Sequence, residues 1–302
     1  MDTTAPLRIG AALLERPLSY ITRRIGRVPG GWRAGEALRR IYYQHQWSGG
    51  GHWRELDDYD GDLHFRVDRK AYMGSCIYWR GYHHHYELLA LGRLLKPHHV
   101  FADIGANQGE FTAFAAKRLP QGRVLSFEPD PDMERALRHN VELNGFQNVE
   151  ILPFGLSDVA GKAVLYAAET DLAESHSGAH EGLGSIFASE GRQSVRHTIR
   201  IERFDDVFDE LDLERLDAIK IDIEGAELFA LRGARRSLER FHPAILWEIS
   251  RGTFQAAGYD YDDIVAFFEE LGYRFFHIGR LGRLTQLEVD EFPELGNILC
   301  LR

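Results

Sequence analysis

From about residue 100 onward, short apolar runs alternate with stretches whose apolar residues recur at helical spacing. The run 100–104 is followed by Phe111, Phe114, Ala115 and Leu119 on one helical face. The run 124–127 is followed by Met133, Leu137 and Val141. Further strands are predicted over 149–154, 218–223, 244–249, 274–278 and 298–301. The clearest helix between them carries Ile264, Phe267, Phe268 and Leu271 at i, i+3, i+4 and i+7. Near-continuous apolar strands separated by helices predict an α/β fold, a mostly parallel sheet covered on both faces.

Two regions depart from this rhythm. Residues 1 to about 60 read as an N-terminal helical extension, with Leu13, Leu14, Leu18 and Ile21 near helical spacing but interrupted by Pro17. Ser48-Gly-Gly-Gly51 is a break, and the main domain is expected over 61–302. Leu63, Phe65 and Val67 alternate like a strand, and a helix with Leu88, Leu91, Leu94 and Leu95 follows His83-His84-His85. The second departure is the connection over about 157–215, far longer than a crossover needs. Within it, 163–167 and 195–201 predict an extra hairpin. The Gly-, Ser-, His- and Glu-rich stretch 173–192, which contains Ser185, reads as a lid over the binding edge.

Composition narrows the classes. The 302 residues are 44% hydrophobic, enough for a sizeable core, and carry a net charge of -10. That charge disfavours nucleic acid as a partner. Cys76 and Cys300 form no disulfide framework and no metal-type pair, which fits a reducing cytoplasm. No apolar run approaches the roughly 18 residues of a membrane span, so no integral membrane segment is expected. Through Arg40 there are eight arginines against Asp2, Glu15 and Glu36. A solvated extension packing on the domain is the favoured reading of that excess; a membrane surface or an acidic partner is the alternative. Self-association into a homo-oligomer stays open.

The candidate chemistry lies at the strand ends. Asp103-Ile-Gly105-Ala106-Asn107-Gln108-Gly109-Glu110 is an acid followed by a glycine turn opening a helix, and Asn107 with Glu110 fits a capping box. A dinucleotide loop needs G-x-G-x-x-G; here the spacing is Gly105-x-x-x-Gly109. The preceding acid suits a ligand bearing an amine or sulfonium, such as S-adenosylmethionine (SAM). Glu128, 25 residues after Asp103, ends the next strand, where a carboxylate can accept from both ribose hydroxyls. A second dense stretch, 216–227, ends a strand at Asp222 and turns through Glu224 and Gly225. Ligands of open parallel sheets bind beyond the C-terminal strand ends, so Asp103, Glu128, Asp222 and Glu248 should share one rim. Four acids there should repel unless they meet a cationic or hydroxyl-bearing ligand. Lys220, inside a central strand, should need a carboxylate partner. Consecutive helical histidines point about 100° apart and chelate poorly, so no metal is expected from them, and His84 reads as pocket-lining. Mg²⁺ on the acidic rim is the less favoured alternative.

Five pieces together resemble the FkbM family of SAM-dependent methyltransferases. They are Phe101-Ala-Asp-Ile-Gly-Ala-Asn-Gln-Gly109, Ser126-Phe-Glu-Pro-Asp130, Phe154-Gly-Leu-Ser-Asp158, Glu202-Arg-Phe-Asp-Asp206 and Lys220-Ile-Asp-Ile-Glu-Gly-Ala-Glu227. The resemblance covers about 80–302; Phe204 stands where the family commonly has leucine or a similar residue. It implies a Rossmann-like class I methyltransferase fold, a seven-stranded mostly parallel sheet whose last strand runs antiparallel. It also implies SAM as cofactor and O-methylation of a small metabolite's hydroxyl, in a sugar, polyketide or related natural product. By the same resemblance, Asp103, Gly105, Ala106, Asn107 and Gly109 surround the amino-acid end of SAM. Glu128 holds the ribose, Phe127 and Pro129 shape the adenine pocket, and Ser157 or Asp158 meets the adenine edge. Asp222 lies near the methyl or the amine. Glu224 and Glu248 face the acceptor, joined by Ser185 and His84, and the proton acceptor is sought among Asp222, Glu224 and His84. Glu227 and Lys220 read equally as helix capping and internal ion pairing. The alternatives are a non-catalytic SAM-binding subunit and an NAD-dependent oxidoreductase.

Overall fold

The computed structural model describes residues 5–26, 28, 30–44, 52–69, 71–167, 184–188 and 194–302, with side chains from residue 14 and not over 42–44. Among these, the residues up to His84 form one compact unit and those from His85 on a second.

The first unit consists of helices α1 (Ala5–Gly26) and α2 (Trp32–Gln44), the hairpin β1 (Trp53–Tyr59) with β2 (Leu63–Asp68), and helix α3 (Tyr72–Arg80). It reaches farther along the chain than the 1–60 extension read from the sequence. The predicted alternation over Leu63, Phe65 and Val67 is the buried face of β2, and Leu56 and Tyr59 join it from β1. The turn-like break at 48–51 lies outside the described residues. Helix α1 buries Glu15, Ser19, Thr22 and Arg23. Arg23 pairs with Asp58 at 3.0 Å and donates to the Tyr78 carbonyl at 3.0 Å. Glu15 pairs with Arg69.

The second unit begins with α4 (His85–Leu94), then β3 (Val100–Ile104), α5 (Glu110–Arg118), β4 (Arg123–Phe127), α6 (Pro131–Leu143) and β5 (Val149–Leu152). The insertion supplies β6 (Gly155–Leu156), β7 (Gly161–Tyr166) and β8 (Val195–Glu202). The alternation resumes with α7 (Phe204–Glu210), β9 (Ala218–Ile221), α8 (Glu227–Gly233), α9 (Arg235–Phe241), β10 (Ala244–Ser250), α10 (Arg251–Ala256) and α11 (Tyr261–Glu270). It closes with β11 (Arg274–Ile278), β12 (Leu284–Leu287) and β13 (Leu295–Leu301).

The main sheet runs β12-β11-β13-β10-β9-β3-β4-β5. Strands β10, β9, β3, β4 and β5 are mutually parallel, while β13 is antiparallel to both its neighbours, β10 and β11. The α/β class and the antiparallel last strand agree with the sequence reading. The strand number is a correction: among the described residues the main sheet has eight strands, not seven. The added edge strand β12 pairs antiparallel with β11 across a turn closed by Gly279 N–H donating to the Arg283 carbonyl at 2.8 Å. It is mostly exposed, so no apolar run marks it. The predicted hairpin in the insertion is present as β7 with β8, and β6 adds to it in parallel.

Strand alternation sorts the sheet's faces. Val100, Ala102, Ile104, Leu125, Phe127, Ile219, Ile221, Ile245, Trp247 and Ile249 join one large core. The intervening positions put Asp103, Ser126, Lys220 and Glu248 on the opposite face, all toward the same strand ends. The central strand β3 is buried along its whole length, so both faces are covered. Asp205 explains part of the Glu202–Asp206 piece. From α7 it accepts the N–H of Arg236 at 2.9 Å, the N–H of Ser237 at 2.9 Å and the Ser237 hydroxyl at 2.6 Å. It thus caps α9 from a different helix. Asp205→Ala leaves those donors without an acceptor and should destabilise the protein by about 3 kcal/mol, with Asp205→Asn milder. Urea denaturation checks this; a loss below about 0.5 kcal/mol would remove Asp205 from the capping role.

Candidate active site

The loop after β3 turns back toward β9 and β4. Gly105 has φ +78°, and a Cβ there would sit 2.1 Å from the Asp222 carbonyl oxygen. A Cβ on Gly109 would meet Leu137 at 2.7 Å. The backbone contact requires glycine at 105, and the left-handed φ of +91° favours it at 109. The capping box predicted at Asn107 and Glu110 does not form. Asn107 is left-handed at φ +52°, and Gly109 precedes α5 without a side-chain cap. The reason is Glu128: its Oε2 accepts the Asn107 N–H at 2.7 Å and its Oε1 the Asp130 N–H at 2.9 Å. One carboxylate thus ties the loops after β3 and β4 together. The N–H groups of Gly105 and Ala106 both donate to the Phe127 carbonyl at 3.0 Å.

Behind this loop lies a buried cation. Lys220 is 5% exposed. Its Nζ donates to the Gly105 carbonyl at 2.6 Å and lies 3.7 Å from Asp103 and 3.6 Å from Asp222. The expected carboxylate partner is therefore present twice over. Asp103 also accepts from Thr112 Oγ1 at 2.6 Å, and that hydroxyl lies 2.8 Å from Ser126 Oγ. Burial pulls the Lys220 ammonium down, but Asp222, Asp103, Glu248 and Glu128 outweigh it and its proton is held more tightly than usual. Burial raises the Asp103 carboxyl despite Lys220 and Thr112.

Beyond β9 the chain turns through Glu224 at φ +55° and Gly225 at φ +104°. Glu227, the first residue of α8, holds this turn by accepting the N–H groups of Ile223 and Gly225, each at 2.9 Å. The Tyr259 hydroxyl donates to the same carboxylate at 3.3 Å. Carboxylate oxygens of Asp222, Glu224 and Glu248 gather within 4.8 Å of one another. Such a trio can share protons or hold a hard divalent cation. Burial, then Asp222, pushes Glu248 well above the usual carboxylate range. Burial lifts Glu128 to about 7 against its two backbone donors. Glu227 is lifted to about 7 in the same way, helped by Asp222 and Glu224. The rim thus gathers more carboxyl groups than Lys220 alone can keep ionised.

A family model for the methyltransferase FkbM domain matches residues 103–275, more than half of the chain. The chain belongs to the FkbM methyltransferase family. The antimetabolite synthetase AmbE of Pseudomonas aeruginosa is 31% identical over 168 residues, covering 47% of this chain and 8% of that protein. The methyltransferase sdnD of Sordaria araneosa is 29% identical over 160 residues, covering 46% and 61%. The 2-O-methyltransferase NoeI of Sinorhizobium fredii is 26% identical over 171 residues, covering 52% and 65%. The chain spans less than two thirds of each of these relatives. Among solved structures, the FkbM methyltransferase of Methylobacillus flagellatus is similar over 69% of this chain and 44% of that one, at 17% identity and TM-score 0.44.

The FkbM pieces map onto this rim unevenly. Asp103, Gly105, Ala106, Asn107, Gly109, Glu128, Asp222, Glu224 and Glu248 come together at the strand ends. Phe127 faces the core, its ring 5.8 Å from those of Phe154 and Phe204, and Pro129 follows in the Glu128–Asp130 turn. Ser157 is buried beside Asp158, its Oγ 3.3 Å from the Asp158 carboxylate. Ser185 reaches the rim from the insertion: its Oγ donates to the Glu224 carbonyl at 2.7 Å and accepts the Phe187 N–H at 3.1 Å. Of the stretch 173–192, only 184–188 are among the described residues. His84 belongs to the first unit, its Nδ1 3.0 Å from that of His83. Sequence reasoning missed how Glu227 and Tyr259 support the turn; the spacing Glu224-x-x-Glu227 was its one visible trace.

Glu227 gives a signed pH dependence. Its folded pKa, about 7 against an ordinary 4.5, means that the folded state holds more protons than the unfolded one between those values. Its contribution is therefore most favourable at low pH and is lost as pH rises through about 7, by at most on the order of 3 kcal/mol. Glu227→Gln should be less stable overall, because an amide mimics the two-N–H acceptor poorly, yet lack this slope. Urea midpoints from pH 5 to 8 should show the wild-type advantage shrinking with pH; a constant gap would contradict the assignment.

Proposed function

We propose that this FkbM-family protein is a SAM-dependent O-methyltransferase that methylates a hydroxyl of a small metabolite, of the sugar, polyketide or related natural-product type, in the cytoplasm. The observation that carries this reading is the cluster of carboxylates at the strand ends and the turn beyond β9, Asp103, Glu128, Asp222, Glu224 and Glu248, around the buried ammonium of Lys220. A ligand with a fixed positive charge at sulfur and another at its amine relieves that excess. A dinucleotide, which brings phosphates, aggravates it. The name of the relative NoeI, a 2-O-methyltransferase, supports oxygen as the acceptor atom.

In this reading the Asp103 loop takes the amino-acid end of SAM. Glu128 takes the ribose: its oxygens already accept two backbone N–H groups, and a carboxylate has about four acceptor sites. Pro129 frames the adenine side, with Ser157 and Asp158 at its edge; the Phe127 ring is taken up by the core. Asp222 lies between cofactor and acceptor. Bound SAM would supply an activated methyl group for transfer to the acceptor oxygen, with the electron pair of the broken carbon–sulfur bond staying on sulfur. The acceptor proton passes to a rim carboxylate. Alignment of the two reactants supplies most of the acceleration, because the sulfonium is already activated. Lys220 sets a positive charge 3.6 Å from the Asp222 carboxylate. Its hydrogen-bonded neighbour Glu248 holds a proton more tightly than usual. The bond from Ser185 to the Glu224 carbonyl supports a lid role for the insertion on the acceptor side.

Asp222→Asn keeps shape and removes charge. If Asp222 is the base, directly or through water, kcat should fall by about 10²–10⁴ with SAM affinity intact. If it anchors the SAM amine, the dissociation constant should rise as well. Labelled SAM with a metabolite extract, read by mass spectrometry, followed by kinetics on the identified acceptor, separates these outcomes. Near-wild-type kcat and SAM affinity together would remove Asp222 from the site.

A further inference from the structure

Over its described side chains, from Leu14 on, helix α1 is folded inside out. A surface helix normally buries its apolar stripe and shows its polar one. Over that span the buried positions are Glu15, Ser19, Thr22, Arg23 and Gly26, with Glu15 and Arg23 held by ion pairs to Arg69 and Asp58. The outward stripe is Leu14, Ile21 and Ile25, at i, i+7 and i+11, with Val28 just past the helix end. These are 57%, 49%, 42% and 54% exposed. Helix α2 repeats the arrangement. Arg39 is buried against Glu36, while Ala34, Ala37 and Ile41 face outward. An apolar surface of this kind marks an interaction site.

The charges around it select the partner. Arg24, Arg33 and Arg40 are exposed on the same two helices, while Arg16 turns toward the hairpin and lines a cavity with Trp53 and Arg54. Arg24 lies over the Tyr20 ring at 4.5 Å, on the flank of the α1 stripe. Among the described side chains of α1 and α2 the acids are Glu15 and Glu36. Glu15 is buried on Arg69, and Glu36 is largely covered by Arg39 and Arg40. The outward surface is therefore apolar and basic, on a chain whose net charge is -10. Two copies meeting through this face would bring like charges together. No helix of the described residues is long and apolar enough to cross a membrane, and the buried polar side of α1 is spent on the hairpin. A basic, apolar-faced helix that does not span lies in the plane of a lipid surface. We propose that the α1–α2 face docks the protein on an anionic membrane surface, with Leu14, Ile21 and Ile25 in the headgroup region and the arginines on the lipid phosphates.

Vesicle flotation of the full chain tests this, using phosphatidylcholine alone and phosphatidylcholine with phosphatidylserine. Binding should be at least about tenfold tighter to the anionic vesicles and should weaken with salt, since each arginine near the surface contributes roughly fivefold. Ile21→Glu with Ile25→Glu should abolish flotation, and Arg24→Gln with Arg33→Gln should reduce it roughly tenfold or more. All four positions are exposed, so unchanged thermal melts confirm an intact fold. Absent binding to anionic vesicles, or binding indifferent to these variants, overturns the proposal. So does a concentration-dependent dimer in sedimentation velocity that Ile21→Glu with Ile25→Glu dissolves, which would assign the face to a second copy.

Discussion

The second unit depends on one buried charge. An ammonium as deep as that of Lys220 is tolerated in a sheet only where opposite charge and hydrogen-bond acceptors surround it. It finds Asp103, Asp222 and the Gly105 carbonyl. Those three groups come from β3, from the loop that follows it and from the end of β9. The interaction that makes the centre of the sheet electrically acceptable therefore also fixes the relative positions of the two loops that form the rim. Removing Lys220 would leave two carboxylates facing each other in a poorly solvated place.

The outer carboxylates are handled by a different device. Glu128 and Glu227 are satisfied by backbone N–H groups rather than by cations. Each holds a left-handed turn in place, at Asn107 and at Glu224–Gly225. Burial raises their proton affinity until they titrate near neutrality. The rim is thus shaped by groups poised between charged and neutral forms, and a bound cation shifts them toward the charged one. The insertion adds a further restraint, because Ser185 fastens to the backbone of the turn that Glu227 holds from the other side.

Much of this was legible in the chain. Strands β3, β4, β9 and β10 are buried on both faces, so each reads as an apolar run, and the acids that end them stand out. Lys220 announced its need for a partner because a charge inside such a run has no other explanation. The hairpin of β7 and β8 showed by alternation. Features that depend on backbone partners did not show. The N–H of Asn107 goes to Glu128, which no local motif encodes, so the apparent capping box was misleading. Ser185 bonds a carbonyl, which leaves no trace in residue identity. Strands β1 and β12 carry mostly polar or exposed residues and lack a run to read. In α1 the apolar periodicity was visible, but periodicity alone does not say which side of a helix faces inward; the ion pairs to Asp58 and Arg69 decide it.

The central claim is that this carboxylate rim is built for a cationic cofactor. Calorimetric titration of the protein with SAM and with NAD, repeated from pH 6 to pH 8, tests it most directly. The account predicts one SAM per chain, with a dissociation constant within about 1 μM to 1 mM. It also predicts affinity that strengthens with pH as the raised carboxylates ionise, and no heat from NAD. NAD binding, or SAM affinity that is absent or flat across this range, would contradict it.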